Sequence, residues 1–530
     1  MNISKREVVL LLGAVLIGLL VRVPGVSWGA NFPFGWFGHH PDEYTHSLHT
    51  QLKINYRQPK YDPVDNVGLL NPWMAGYSVT PYPVAMAMHV ALPHIASRVL
   101  SGTVLDPPPP PSKIIPTGRS IVVAYGVATI VVLFFLAKCL FSNPAVPIIA
   151  AWMMALGGLH VTQSHFFLSG VPALFWLLLG LIFLWRDQAN ENSSNSSDLA
   201  IAALCLGVAF GFKLFFPAVP SLALVALLHK DKIWRLVLVT VFFLFGMFAI
   251  NAGMYTPVDF YSTIFRGISD PFEFSILSSF ILYIIELPSI LSFPVFILSL
   301  IGVPLLLVKL FKLENFSLKR RIVLVILLPM IMHLLTVLFV LDHFPRHLLP
   351  FIPAFILVSA WVAVKLAERV KVAPRIIAIP IIIYLAVFIY DAEKGFIDDP
   401  RNKAADWLIQ NVEKGRSVTW YYHSPQGYKN VADPTGRPDV ILEEMHHANH
   451  YLSGLGLRDS MPRDYRKIFD SHSQEYIDAY QALFTGDSEY KEVARFGENY
   501  FMPEYILTDR LIGNRSRNYL AEIIVFKRKE

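Results

Sequence analysis

Long apolar runs alternate with short polar segments over the first 391 residues of the chain. The first run, Val8 to Val26, approaches the ~20 residues that a helix needs to cross the ~30 Å hydrocarbon core of a bilayer. A cleaved signal peptide is the alternative for this run, but its apolar core is long and no A-x-A-like site follows. Ten further runs lie near 119–140, 145–159, 171–186, 199–215, 216–229, 235–252, 288–311, 322–341, 347–370 and 376–391. The pattern predicts an α-helical multi-spanning membrane protein with about eleven transmembrane helices.

Basic residues predict which ends of these helices face the cytoplasm. If the N-terminus is cytoplasmic, the predicted inner loops contain the basic clusters, for example in 309–321 and 365–375, as the positive-inside rule requires. The segment 79–100 is apolar enough to be a further span, but counting it would place those clusters outside. We therefore expect 79–100 to lie on, or dip into, the outer membrane surface.

This topology places two long segments on the extracytoplasmic side. One is the loop 27–118, which belongs to a transmembrane domain of residues 1–391, and the other is a soluble C-terminal domain of residues 392–530. The expected location is the plasma (inner) membrane, or the ER membrane in a eukaryote. The prolines of 106–113 predict a stiff polyproline II spacer within the loop.

The C-terminal segment has the pattern of a small α/β domain. Residues 401–415 have helical periodicity, with Ala405, Leu408 and Val412 on one face. Three strands are predicted, at 417–423, 505–510 and 522–529.

Composition agrees with a membrane protein and disfavours other classes. Hydrophobic residues make up 54% of the chain and charged residues 16%, against about a quarter charged in soluble domains. No basic run interleaved with aromatics and no Cys/His finger spacing occurs, so we expect no nucleic-acid partner. The two cysteines, Cys139 and Cys205, lie in apolar segments, which disfavours a disulfide framework.

The segment 38–46, "GHHPDEYTH", directly follows the first apolar run. In a helix that begins at Pro41, Asp42 and His46 share one face because they are four residues apart. A carboxylate at the membrane boundary with imidazoles beside it suits a general base or a metal ligand. The alternative is an ordinary helix start, where Asp42 and Glu43 complement the helix dipole.

Other polar residues are predicted to reach the same side of the membrane. They are His165 in the loop 157–170, Lys213 at the outer end of a span, and His343 and Arg346 in the segment 341–353. Boundary charges are functional candidates by default, although lipid anchoring or internal ion pairs are equally good explanations for each one alone. Together they predict a cationic, histidine-rich pocket that faces an acid.

Four motifs resemble one known family. "HHPDE" at 39–43 resembles the first-loop acid motif of polyprenyl-phosphate-sugar-dependent glycosyltransferases with the GT-C fold, most closely the dolichyl-phosphate-mannose protein mannosyltransferase and aminoarabinose transferase branch. "SHFFLSG" at 164–170, "RHLLPFIPAFILVSA" at 346–360 and "RNKAADWLIQNVEKG" at 401–415 resemble further elements of that branch. Gly170 stands where the family often has an acid, which puts a second metal-binding acid in doubt.

The resemblance implies an inverting glycosyltransferase that moves a hexosyl or pentosyl group. The donor would be a sugar on a polyprenyl (dolichyl or undecaprenyl) phosphate, and the acceptor a glycan, lipid or protein on the extracytoplasmic side. By motif position the catalytic candidates are Asp42 and Glu43, with Asp42 as general base. Lys213 and Arg346 are the candidates to stabilise the leaving phosphate.

The histidines complete the set that the resemblance implies. His40, His46, His165 and His343 are candidates to line the substrate pocket. No cofactor is certain, and a divalent metal would use Asp42 and His46. The motifs do not identify the sugar, the acceptor or the prenyl length.

Two other functions fit the same residues. A transporter or flippase would use the boundary charges to pass a lipid-linked or phosphorylated substrate, but no inverted repeat or pair of broken helices is visible in the sequence. A non-catalytic assembly protein would keep the GT-C fold without the chemistry, and Gly170 mildly favours this reading.

Overall fold

The computed structural model describes residues 3–29, 43, 111–189, 196–212, 218–227, 232–250, 276–315, 318, 322–339, 345–420, 427–431, 434–444, 474–497, 500–512 and 522–529. The helices within these ranges are α1 (Lys5–Leu20), α2 (Pro111–Leu140), α3 (Ala145–Ala155), α4 (Gly158–Gln163), α5 (Gly170–Ala189), α6 (Ser197–Phe212), α7 (Ala218–Leu227), α8 (Lys232–Ile250), α9 (Ile276–Leu291), α10 (Phe293–Phe311), α11 (Leu328–Phe339), α12 (Ile352–Arg369), α13 (Pro374–Ile397), α14 (Pro400–Asn411), α15 (Gln474–Thr485) and α16 (Pro503–Ile512). The strands are β1 (Ser417–Trp420), β2 (Lys429–Asn430), β3 (Val440–Glu444), β4 (Tyr490–Phe496) and β5 (Ile523–Arg528).

The helical part is apolar enough to lie in a membrane. Six segments of the described chain have the length and composition to cross a bilayer, namely Lys5–Ser27, Lys113–Leu140, Gly170–Ala189, Phe293–Phe311, Pro345–Arg369 and Pro374–Asn411. Shorter apolar helices accompany them at Ala145–Ala155, Ser197–Phe212, Phe280–Leu291 and Val323–Leu338. The protein is therefore mostly helical and of the multi-pass type, whereas the total of eleven spans stays a prediction.

Polar contacts define two opposite ends of this helical bundle. At one end Lys138 Nζ, near the end of α2, lies 2.7 Å from Glu7 Oε1 in the first turn of α1. Asn143 follows α2 there and donates to Glu368 Oε1 over 3.0 Å. The other end contains Arg119 from the first part of α2, so we call the two the Lys138 end and the Arg119 end.

The predicted span 288–311 differs from the structure. The run 288–311 was expected to form a single helix, but the chain breaks at Ser292, which has a φ of 75°. Ser292 separates α9 from α10, and Pro294 occupies the first turn of α10, where its missing N–H is not needed. Residues 111–113 of the predicted polyproline spacer belong to α2 instead, and residues 106–110 lie outside the described residues.

A five-stranded sheet forms in the C-terminal part, with the order β2-β1-β3-β5-β4. β1 pairs in parallel with β2 and β3, and β5 pairs antiparallel with β3 and β4. One face of the sheet packs on α14, where Ala405 and Leu408 are buried against Val418 and Val525. The structure confirms the predicted helix in 401–415 and the predicted strands that begin near 417 and 522.

The expected strand at 505–510 is wrong, because these residues belong to α16. A short apolar run is compatible with either a strand or a helix, and here tertiary contacts decide. The ring of Tyr505 stacks on Phe388 of α13, with centroids 4.9 Å apart. α16 thus leaves the sheet and packs on the helical bundle.

The expected division after residue 391 lies inside a continuous helix. α13 extends to Ile397, and α14 begins at Pro400 after a two-residue connection. The return of α16 adds a second contact between the sheet region and the bundle, so the C-terminal part is attached at two places.

Candidate functional site

A buried ion pair fixes Glu43, the one described residue of the segment 38–46 (called the exit motif below), at the Arg119 end. Arg119 Nη2 lies 2.6 Å from Glu43 Oε2, and Arg119 Nε donates to Glu43 Oε1 over 2.8 Å. Both side chains are fully buried. A two-pronged guanidinium–carboxylate contact is among the strongest side-chain pairings, and in a buried setting neither charge is tolerated without its partner.

The same pair joins three other parts of the chain. The backbone N–H of Phe167 donates to Glu43 Oε1 over 2.6 Å. Arg119 Nη1 donates to the carbonyl oxygens of Trp28 and, over 3.3 Å, Val26. The end of the first apolar run, the start of α2 and the segment 164–170 therefore meet around the Glu43–Arg119 pair.

Two glycines make this convergence sterically feasible. A Cβ at Gly118 would lie 2.3 Å from the ring of Phe167, and a Cβ at Gly25 would lie 2.0 Å from His165 Nδ1. Real Cβ atoms essentially never lie within 3.0 Å of such neighbouring atoms. The ring of Phe167 and the ring of His165 occupy the space that these glycines leave.

His165 contacts an acid that the sequence analysis missed. Its Nε2 pairs with Glu393 Oε2 near the end of α13. Thr162 in α4 donates to Glu393 Oε1 over 3.4 Å, and the ring of Phe396 lies 4.6 Å from the imidazole, measured between centroids. His165 is thus part of the interface between the segment 157–170 and α13.

Arg22 is a second buried charge that the sequence analysis did not single out. It lies within the first apolar run, fully buried, and its Nη1 donates to the carbonyl oxygen of Ala155 over 2.8 Å. Its Nη2 donates to His160 Nδ1 over 2.8 Å and its Nε to Ser164 Oγ over 3.3 Å. An arginine inside an apolar run is a detectable signal, and here it fixes α1 against α3 and α4.

Two guanidinium groups lie over the ring of Trp28. The Cζ atoms of Arg119 and Arg401 lie 5.3 Å and 5.0 Å from its ring centroid, within the range of cation–π attraction. Its Nε1 donates to Asp399 Oδ2 over 2.7 Å, and Arg401 Nη2 donates to the same oxygen over 2.7 Å. Through Trp28, the Glu43–Arg119 pair contacts the beginning of α14.

Arg346 begins the polar segment at the same end. It lies in a 3-10 helix, Pro345–Phe351, that contacts α4 and α5. His333 Nε2 donates to the backbone carbonyl of His347 over 2.9 Å, which fixes this segment against α11. A Cβ at Gly170 would lie 3.3 Å from Leu349, so the two quoted motifs 164–170 and 346–360 pack against each other.

Five candidates lie outside the described residues, namely His40, Asp42, His46, Lys213 and His343. Among the residues that are described, no group of three or more His, Cys, Asp or Glu side chains is arranged to hold a metal ion. Both oxygens of Glu43 accept hydrogen bonds from Arg119 or Phe167, so Glu43 does not suit the role of a metal ligand. Asp42 and His46 stay the predicted ligands if a divalent cation binds.

Neither a family model nor a curated protein matches the sequence. Solved structures do match. They include the oligosaccharyltransferase AglB from Archaeoglobus fulgidus in complex with an inhibitory peptide and a dolichol-phosphate, at 10% identity and a TM-score of 0.46, covering 99% of this chain and 88% of that chain. The apo form of the A. fulgidus enzyme matches at 11% identity and a TM-score of 0.47, covering 94% of this chain and 74% of that one.

ArnT from Cupriavidus metallidurans, bound to undecaprenyl phosphate, matches at 12% identity and a TM-score of 0.43, covering 99% of this chain and 98% of that chain. Two of these structures thus contain a polyprenyl phosphate, which is dolichol-phosphate in AglB and undecaprenyl phosphate in ArnT. At TM-scores below 0.5 we transfer no residue role from them.

Proposed function

We propose that this protein is an integral-membrane, inverting glycosyltransferase that moves a hexosyl or pentosyl group from a polyprenyl-phosphate carrier to an acceptor at the Arg119 end. The observation that carries the proposal is the buried Glu43–Arg119 pair, because Glu43 of the exit motif also accepts from Phe167 in the segment 164–170. The segment that contains Arg346 lies at the same end. In this proposal, a base from the segment 38–46 and a phosphate-binding cation from the segment of Arg346 act in one region.

Asp42 is the proposed general base and Glu43 its positioning neighbour. The base removes the proton of the acceptor as the acceptor oxygen attacks the anomeric carbon. The bond between that carbon and the phosphate oxygen breaks on the opposite face, which inverts the configuration. Glu43, whose two carboxylate oxygens accept from Arg119 and Phe167, holds the motif in place and takes no proton.

Lys213 and Arg346 are the proposed partners of the departing phosphate. A phosphate leaves as an anion of low basicity, so it needs positive charge more than a proton. Arginine offers a planar fork that matches phosphate oxygens, and lysine a compact point charge. His40, His46 and His343 are proposed to line the same pocket. His165, which pairs with Glu393, is proposed to hold the segment 157–170 against α13 beside that pocket.

The proposal includes the sidedness of the molecule. The Lys138 end faces the cytoplasm together with the N-terminus, and the Arg119 end and the C-terminal sheet face the extracytoplasmic side. The division into a transmembrane domain, 1–391, and a soluble domain, 392–530, belongs to the same proposal, except that α13 continues to Ile397 and residues 500–512 pack on it. Labelling of single cysteines at residues 39–44 with a membrane-impermeant reagent tests it, and labelling from the cytoplasmic face alone would overturn it.

An Asp42→Asn variant tests the chemistry. In purified protein reconstituted with a polyprenyl-phosphate-linked sugar, we expect transfer to fall by about 10²–10⁴-fold, the usual contribution of a positioned base. Thermal unfolding and binding of the polyprenyl phosphate should be unchanged. Unaltered transfer would remove Asp42 from the mechanism.

The rival functions predict different results in the same assay. A flippase would move the lipid carrier across the reconstituted bilayer without transferring sugar. A non-catalytic assembly protein would transfer no sugar in this assay. Transfer would then require Gly170→Asp, which introduces the acid that the resembled family often has at this position. Sugar transfer by the unmodified protein excludes both.

A further inference from the structure

The connection between β4 and β5 leaves the sheet and packs on the helical bundle. β4 and β5 are hydrogen-bonded neighbours, yet residues 500–512 lie between them in sequence and contact α9 and α13 instead. We call residues 500–512 the strap. A tight turn would suffice to join adjacent antiparallel strands. The strap is therefore not needed for the pairing of β4 with β5.

An aspartate of α13 holds the beginning of the strap. Asp391 Oδ2 accepts from the backbone N–H groups of Phe501, over 3.1 Å, and Met502, over 2.9 Å. Lys394 Nζ lies 2.8 Å from Asp391 Oδ1, and its ammonium lies 5.1 Å from the ring centroid of Tyr500. Asp391 is fully buried, so its charge depends on these partners.

A glutamate of the strap holds its middle. Glu504 Oε1 accepts from the backbone N–H of Phe293, over 2.7 Å, and from the hydroxyl of Tyr384, over 2.9 Å. Phe293 is the first residue of α10, whose own N-cap residue makes no side-chain cap. Glu504 therefore places a carboxylate at the N-terminus of α10, where a negative charge is stabilising.

These contacts place the strap against the membrane-spanning part of α13. The contacted side chains, Tyr384, Phe388 and Asp391, form one stripe with spacings of four and three. At about 1.5 Å per residue, this stripe covers about 10 Å of a helix that belongs to a candidate membrane span. The strap thus packs beside the part of α13 that belongs to the candidate membrane span.

The next stripe of α13 is exposed and apolar. Ile383, Val387 and Tyr390 each precede a contacted residue by one position and are 59%, 42% and 64% exposed. Successive helix positions are about 100° apart, so this stripe flanks the strap. An exposed apolar stripe on a membrane-spanning helix faces lipid.

The strap itself continues this apolar surface. Phe501, Ile506 and Leu507 are 51%, 37% and 41% exposed, while Glu504 and Thr508 are buried toward the bundle. In water, three such side chains on one short segment would be unfavourable. Beside a lipid-facing stripe they are in the environment they prefer.

We propose that the strap is embedded in the bilayer and that Phe501, Ile506 and Leu507 contact lipid acyl chains. The C-terminal sheet is then joined to the membrane by an element inserted between two of its own strands. The buried carboxylates of Asp391 and Glu504 hold that element in the bundle. This inference does not depend on the glycosyl transfer proposed above.

Spin-label accessibility tests the proposal. In a background with Cys139→Ala and Cys205→Ala, single cysteines replace Leu507 on the strap, Ile383 as the lipid reference and Lys491 on β4 as the water reference. Each labelled variant is reconstituted in phosphatidylcholine vesicles, and its collisions with oxygen and with a water-soluble nickel chelate are compared. We expect the label at Leu507 to show the high oxygen and low nickel accessibility of the label at Ile383.

The opposite patterns overturn the proposal. Nickel accessibility at Leu507 equal to that at Lys491 would place the strap in water. Low accessibility to both reagents would mean that another protein surface, such as a second copy of this chain, covers it. Replacement of an exposed side chain is not expected to impair folding, and the thermal midpoint of each labelled variant verifies this.

Discussion

Trp28 and Asp399 are 371 residues apart in the sequence, yet the indole Nε1 donates to the carboxylate Oδ2 over 2.7 Å. Asp399 also caps the first turn of α14 by accepting from the backbone N–H of Arg401. The backbone carbonyl of Trp28 accepts from Arg119, which holds Glu43. A continuous chain of buried contacts therefore links the exit motif to the first helix of the C-terminal part.

Trp28→Phe tests the strength of this link. The substitution keeps an aromatic ring against the two guanidinium groups but removes the N–H that Asp399 accepts. Because the acceptor is charged, we expect the free energy of unfolding to fall by about 1.5–3 kcal/mol. Chemical denaturation in detergent measures it, and Trp234→Phe, at an exposed position of α8, is the matched control with no expected change.

Glu43→Gln is expected to cost about 3–5 kcal/mol of stability, because it leaves the buried Arg119 charge without its partner. The double variant Glu43→Gln/Arg119→Met removes both charges and should recover part of the loss. A double-mutant cycle measures the coupling. Equal destabilisation by the single and the double variant would contradict a dominant role for the ion pair. Glu368→Gln, in the exposed pair with Lys365, is the control and should have no measurable effect.

Gly25→Ala and Gly170→Ala form a second matched pair. A Cβ at Gly25 would lie 2.0 Å from the ring of His165, whereas one at Gly170 would lie 3.3 Å from a methyl group of Leu349. The first substitution must displace His165 from Glu393 and is expected to lower the thermal midpoint sharply. The second should be nearly neutral. A neutral Gly25→Ala variant would mean that the His165 ring has room to move.

Acid is expected to weaken the C-terminal sheet through Asp439. The Ser417 hydroxyl and backbone N–H, with help from Arg528 and Arg416, hold the pKa of Asp439 below its ordinary value of 3.8. A carboxyl group whose pKa is lower in the folded state contributes stability that is complete above about 3.8 and is lost as the pH falls through the folded value. Wild type should therefore unfold at a higher temperature than Asp439→Asn above that pH, and the gap should close below it. A gap that widens toward acid would contradict the assignment.

Periodicity predicted much of this fold because the signals are local. The 401–415 pattern places Ala405 and Leu408 on one face, and both are buried in the structure. The short run at 505–510 was mistaken for a strand, since its conformation is decided by Phe388 and Phe293, far away in sequence. A break within an apolar run, as at Ser292, also has no clear local signal beyond the nearby prolines.

The pairings within the candidate site could not be predicted from the sequence. Glu43, His165 and the segment of Arg346 lie at one end of the bundle, and the other five candidates lie outside the described residues. The partners Arg119 and Glu393 were missed, because nothing in a single sequence relates residue 43 to residue 119 or residue 165 to residue 393. The sequence does not distinguish a charged residue that contacts lipid headgroups at the end of an apolar run from one that forms a buried ion pair.

The position of β5 has a consequence for how the sheet assembles. β5 follows β4 in the chain but lies between β3 and β4 in space. As a ribosome delivers the chain, β3 lacks a neighbour on one edge and β4 lacks one on both edges until β5 arrives. Unpaired strand edges of this kind are the feature most prone to wrong pairing between neighbouring chains.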